Sequence, residues 1–200
     1  MPLRRREAIA CGRRNRSIPS RPLGGWRGVL LFCCLMNVSA VEAAGPPVAP
    51  EYQVKAAFLF QFSRFVQWPP DSFSSADAPL VICVLGVNPF GSALQEIAAG
   101  EAVQTHPLSV ERRDRIEDLT DCHIVFVSGR DEDVTRQALG YLSGRRVLTV
   151  SDSDDFARRG GIIGLVTVDG KVRVQVNRSS ADAAQIRISA KLLRLADQIG

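Results

Sequence analysis

Three short runs between residues 80 and 150 are almost continuously apolar: Leu80-Val81-Ile82-Cys83-Val84-Leu85-Gly86, His123-Ile124-Val125-Phe126-Val127-Ser128 and Arg146-Val147-Leu148-Thr149-Val150. They lack the alternation of a half-exposed strand, which is how strands covered on both faces read. The segments between them have helical or weaker strand character. Residues 89–99, closed by Gly100, predict a helix, and residues 108–112 a weaker strand. Residues 131–142 predict a helix opened by acids, as the helix dipole prefers. Upstream, Val54, Phe58, Phe62 and Phe65 recur at helical spacing within 51–67, and Leu59 and Val66 widen the stripe. That phase leaves Lys55, Gln61, Arg64 and Gln67 facing water. Trp68-Pro69-Pro70 ends the helix, because a residue before proline is pushed out of helical space.

Downstream, residues 162–168 and 171–176 flank Asp169-Gly170, a strong hairpin signal. A last helix is expected from Ser179 onward, with Asp182 in the acidic place of a capping box. In it Ile188, Leu192, Leu195 and Ile199 form an apolar stripe, and Arg187, Lys191 and Arg194 a basic face that solvent would cover. Strands alternating with helices predict the α/β class: a single domain with a mostly parallel central sheet flanked by helices, a late antiparallel hairpin and a C-terminal helix.

Composition changes the picture at one end. The 200 residues carry 25 basic and 21 acidic side chains, a formal charge of +4. Eight arginines and a single acid, Glu7, fall within the first forty residues. The remainder is formally −3, so it has no electrostatic footprint for nucleic acid. The Arg-rich stretch precedes the apolar run Val29 to Val38 and then small residues, the order of a secretory signal. The run is far short of the ~20 residues a membrane-spanning helix needs. Expected boundaries are a signal peptide over 1–43, cleaved after Ala40 or Ala43, a stiff Pro-rich linker over 44–50, and the domain over 51–200. Export to the periplasm follows from the signal.

Of five cysteines, Cys11, Cys33 and Cys34 belong to the leader. Cys83 and Cys122 remain, and an even count in an exported domain suggests a disulfide. Two separate buried thiols are the alternative. In a doubly wound order the strands holding them would be neighbours, so a bridge is geometrically feasible.

Motifs for chemistry are missing where this class would carry them. The strand ends read Gly86-Val87-Asn88, Ser128-Gly129-Arg130 and Ser151-Asp152-Ser153, without the acidic residues of a phosphoacceptor site. Gly86 to Gly91 has no following Lys-Ser/Thr, so it is no phosphate-binding loop. His106 and His123 lie in different elements, without HExxH or CxxC. His123 reads as a satisfied strand-edge residue. Asp152, Asp154 and Asp155 read as a turn and helix cap, since Phe156 and Ala157 stand where a calcium loop wants a ligand and a glycine. No catalytic residue, metal site or cofactor is therefore expected.

Seven segments in order resemble the YfiR family of periplasmic proteins. They are Lys55-Ala56-Ala57-Phe58-Leu59 running to Phe65-Val66-Gln67-Trp68-Pro69, Ile82 to Gly86, Cys122 to Ser128 and Val147 to Asp152. Phe156-Ala157-Arg158-Arg159-Gly160-Gly161-Ile162-Ile163, Val174-Gln175-Val176-Asn177 and Ile188 to Ala196 complete the set. The resemblance implies a non-enzymatic repressor that binds the periplasmic sensor domain of an inner-membrane diguanylate cyclase and so limits cyclic-di-GMP. It implies an outer-membrane lipoprotein as a second partner that sequesters the repressor, and Cys83–Cys122 as the structural disulfide. Partner-binding residues are not marked by any motif, and a homodimer is compatible with the pattern. The rival expectation is a periplasmic small-molecule-binding module of an uptake or sensory system.

Overall fold

The computed structural model describes residues 48–199. The expected leader over 1–43 and most of the expected linker lie outside them. Pro50, expected in the linker, instead occupies the first position of helix α1, Pro50–Phe65. There its fixed φ suits the helix and its missing N–H costs nothing. The helix stops at Phe65, two residues short of the expected end, because Val66–Gln67 is already a short strand, β1, paired with a C-terminal segment. A 3-10 turn at Pro70–Ser72 leads to β2, Leu80–Leu85. The helix expected over 89–99 is only α2, Ala93–Ala98, because turns occupy the residues before it. A narrow hairpin of β3, Ala102–Val103, and β4, His106–Arg113, follows. After a second 3-10 turn come β5, Ile124–Val127, α3, Glu132–Leu142, and β6, Leu148–Ser151. The Asp131 side chain caps α3 by accepting from the N–H groups of Asp133 and Val134.

The hairpin is β7, Ile163–Val168, and β8, Lys171–Asn177. Asp169 and Gly170 both have positive φ, 50° and 71°, as the twisted two-residue turn requires. The single helix expected after Ser179 is replaced by four elements: α4, Arg178–Ala183, β9, Arg187–Ile188, α5, Ala190–Leu195, and β10, Asp197–Ile199. Asn177 caps α4, not Ser179. Gln185 turns left-handed, φ 58°, and releases the next residues to pair. Val66 then faces Ile188 in the β1–β9 ladder, and Asp197–Ile199 runs parallel to Gln175–Asn177.

The main sheet has the order β10-β8-β7-β6-β5-β2-β4-β3. It is parallel from β4 through β7. Alternate residues of the buried strands feed two cores. Leu80, Ile82, Val84, Phe126 and Val150 meet α1, α2 and the C-terminal elements. Val81, Cys83, Leu85 and Val125 meet α3 on the other face. This two-sided burial is why those strands carry no polar alternation.

Candidate functional site

In a doubly wound sheet, sites form beyond the carboxyl ends of the strands where the order reverses. Here β2 is flanked by β4 and β5, so the reversal lies at β2–β5. The first turns of α1 lie over the neighbouring ends of β5 and β6. An edge-on contact of Tyr52 with Phe90, centroids 5.8 Å apart, and of Phe90 with Phe126, 4.7 Å, seats the helix. Asp152 follows β6 directly. Its Oδ1 accepts from the Gly129 N–H at 2.7 Å. Its Oδ2 accepts from the Tyr52 hydroxyl at 2.9 Å and the Lys55 Nζ at 3.0 Å. Lys55 also pairs with Glu51 at 2.5 Å, and Glu51 accepts from the Thr167 hydroxyl at 2.7 Å. Gly129 is obligatory, because a Cβ there would stand 2.5 Å from the Ser153 backbone.

Electrostatics fix the protonation states. Burial opposes the charge on Asp152, but the Gly129 N–H, Lys55 and Tyr52 outweigh it and hold its carboxyl below the usual range. Burial likewise opposes the Lys55 ammonium, yet Glu51 and Asp152 raise its pKa above that of a free lysine. Tyr52 is pushed up by burial and by donating to Asp152. The aspartate is therefore ionised, the lysine charged and the phenol neutral at neutral pH. Both Asp152 oxygens are occupied, so the cluster offers no ready base or nucleophile. Its evident work is to tie α1 to the strand ends.

Both central residues differ from expectation. Lys55 is only 3% exposed, not solvent-facing, whereas Val54 of the expected stripe is 47% exposed. The buried face of α1 is Lys55, Ala56, Leu59, Phe62 and Ser63. Asp154 and Asp155 do lie in a turn, but no helix follows, so Asp152 caps none. The i, i+4 pairing of Glu51 with Lys55 looks like an ordinary surface ion pair in sequence. The one available signal was the helical spacing of Tyr52, Lys55, Ala56, Leu59, Phe62 and Ser63, which a lysine in the middle disguises.

The histidines do not converge on a ligand. His123 accepts the Val81 N–H at Nδ1, 3.2 Å, and its Nε2 meets the Ser72 carbonyl at 3.1 Å. Burial pushes its pKa down, and the Ser72 carbonyl only partly offsets this. Phe73 lies between the two imidazole rings, 3.6 Å from His106 and 4.5 Å from His123. Among the described residues no group of three or more His, Cys, Asp or Glu is placed to hold a metal ion. Cys83 of β2 and Cys122, two residues ahead of β5, form a disulfide with Cα atoms 5.9 Å apart. It sits within the α3-side core, where Cys83 is fully buried. Among the described residues no helix is long and apolar enough to cross a membrane.

These features define a doubly wound α/β domain, bridged across adjacent parallel strands, whose strand-end charges neutralise one another. A family model described as YfiR/HmsC-like matches residues 52–197, so the chain belongs to that family. No curated protein is similar enough in sequence to count as a match.

Proposed function

We propose that this protein is an exported periplasmic regulator that represses an inner-membrane diguanylate cyclase by binding the cyclase's periplasmic sensor domain. The observation that carries this reading is the family match, which spans nearly the whole described domain. The saturated Tyr52–Lys55–Asp152 cluster supports a binding role over catalysis, since none of its groups is poised to move a proton. The Cys83–Cys122 bridge suits an oxidising compartment. Repression requires the protein to bind one conformation of the cyclase more tightly than the other. An outer-membrane lipoprotein that competes for the protein would relieve repression. Deleting the gene should raise cellular cyclic-di-GMP, and restoring it should lower the level again; an unchanged level under conditions of expression would contradict the proposal.

A second reading, a small-molecule-binding module, is favoured by one observation. An open cleft of about 640 Å³ lies between α3 and α4, lined by Leu139, Val147 and Ile162 with Arg136 and Arg159. That volume suits a small metabolite, and an anionic group on it would compete with Asp133 for Arg136 and with Glu132 for Arg159. A thermal shift with carboxylate or phosphate metabolites that disappears in Arg136→Ala would support this reading.

A further inference from the structure

The ladder between β10 and β8 covers only Gln175–Asn177. Lys171–Val174, the first half of β8, pairs with β7 on one side and, among the described residues, with nothing on the other. The direction of the unused backbone groups follows from the register. Asn177 donates its N–H to Ile162, so odd-numbered residues of β8 bond toward β7. Backbone direction alternates along an antiparallel pair, so both backbone groups of Val172 and the N–H of Val174 point to the open edge, while the parallel register gives the Val174 carbonyl to the Asp197 N–H. Such an edge is a template for another strand.

The surroundings of that edge differ on its two faces. On the α1 face lies a groove of about 600 Å³, built by Phe58, Phe62 and Phe65 with Leu192 and Leu195, whose lining also takes in Gln61, Lys171, Arg173 and Asp197. Leu195 is 74% exposed there. Val172 and Val174 share this face, since both pack against the α1-side core. The pleat turns Lys171 and Arg173 away from Val172 and Val174, and both are exposed at the edge of the groove. Among the described residues neither has an acidic partner within ion-pair distance. In β10 itself, the residue opposite Gln175 on the basic face is an acid, Asp197.

We infer that this edge is a strand-addition site for a partner protein's extended segment that alternates apolar and acidic residues. The pattern follows from the pleat. Side chains of an added strand opposite Val172 and Val174 enter the phenylalanine groove, and those opposite Lys171 and Arg173 meet these two cations. Main-chain hydrogen bonds supply affinity, and the alternation supplies selectivity. The inference names a surface and a partner chemistry, and does not depend on the partner being a cyclase.

The test uses the oxidised mature protein and two soluble ten-residue peptides, one alternating Val and Glu, the other Val and Lys. Binding is followed by fluorescence anisotropy, and amide exchange at Val172 and Val174 by NMR. The Val/Glu peptide should bind at least ~10-fold more tightly than the Val/Lys peptide and slow exchange at both amides. Val172→Pro removes an outward N–H that makes no bond to β7, so it should leave the fold intact and weaken binding at least ~10-fold. Lys171→Glu with Arg173→Glu should reverse the preference between peptides, which carries the test should Val172→Pro fold poorly. The inference is overturned by equal binding of the two peptides, by no binding of either at ~1 mM, or by an unaltered preference in the charge-reversed protein. It is also overturned if sedimentation shows a dimer that Val172→Pro dissolves, since a second copy then occupies the edge.

Discussion

Replacing Lys55 with methionine isolates the buried ion cluster. Methionine is one atom shorter but keeps most of the aliphatic stem, so the change removes the ammonium with its bonds to Asp152 and Glu51. Asp152, whose side chain is 7% exposed, then keeps the Gly129 N–H and the Tyr52 hydroxyl but loses its counter-ion. Breaking a buried pair from one side costs about 3–5 kcal/mol, because a desolvated charge is left uncompensated. The lower end applies here, since two hydrogen bonds to the carboxylate survive. Against a typical total of ~5–15 kcal/mol that is a large loss. It corresponds to a melting temperature lower by roughly 10 °C for a domain of this size. Adding Asp152→Asn to Lys55→Met should recover much of the loss, because no buried charge then remains. Urea unfolding of the oxidised protein measures the parent and both variants. A Lys55→Met protein within ~0.5 kcal/mol of the parent would refute the reasoning, because only exposed pairs are worth so little.

The same cluster sets a pH window. Asp152 titrates below its unfolded value of about 3.9, so its contribution is present above that pH and is lost as pH falls toward the folded value. Lys55 titrates above about 10.4, so its share is complete below that pH and is lost as pH rises through the folded value. A double variant should flatten both flanks of the stability profile.

Three further outcomes follow from the described contacts. The Cys83–Cys122 bridge closes a separation of 39 residues, so Cys83→Ala with Cys122→Ala should cost roughly 4 kcal/mol in denaturant unfolding. Gly129→Ala drives a methyl against the Ser153 backbone, so it should destabilise the domain by about 1–3 kcal/mol and shift the NMR signals of Asp152. His123, held below its ordinary value by burial, should lower stability as pH falls from about 6.5 toward the folded pKa; a slope unchanged in His123→Gln would contradict this.

The parts of the fold legible in the sequence are those whose causes are local. The runs that became β2, β5 and β6 are apolar on both faces because helices cover both, and Asp169-Gly170 supplies the left-handed turn by itself. The phase of α1 was not legible, because its buried face is selected by Asp152, 97 residues away from Lys55. A stripe of Val54 and three phenylalanines outweighs one lysine in any local pattern. The C-terminal segment misleads for a related reason. Ile188, Leu192, Leu195 and Ile199 have helical spacing, yet Ile188 pairs with Val66 and Ile199 with Asn177. Strand pairing at those points overrides helical spacing, and Leu195 is left exposed. The open half of β8 follows from where β10 begins, which the sequence pattern does not mark.

The most direct test of repression by contact is to identify what the protein touches in the periplasm. The mature protein, tagged at its C-terminus, would be expressed in its own host, crosslinked in living cells and its partners identified by mass spectrometry. The account predicts recovery of a membrane protein that joins a periplasmic sensor domain to a cytoplasmic diguanylate cyclase domain. Recovery of no such membrane partner, with the protein present and crosslinking efficient, would contradict it.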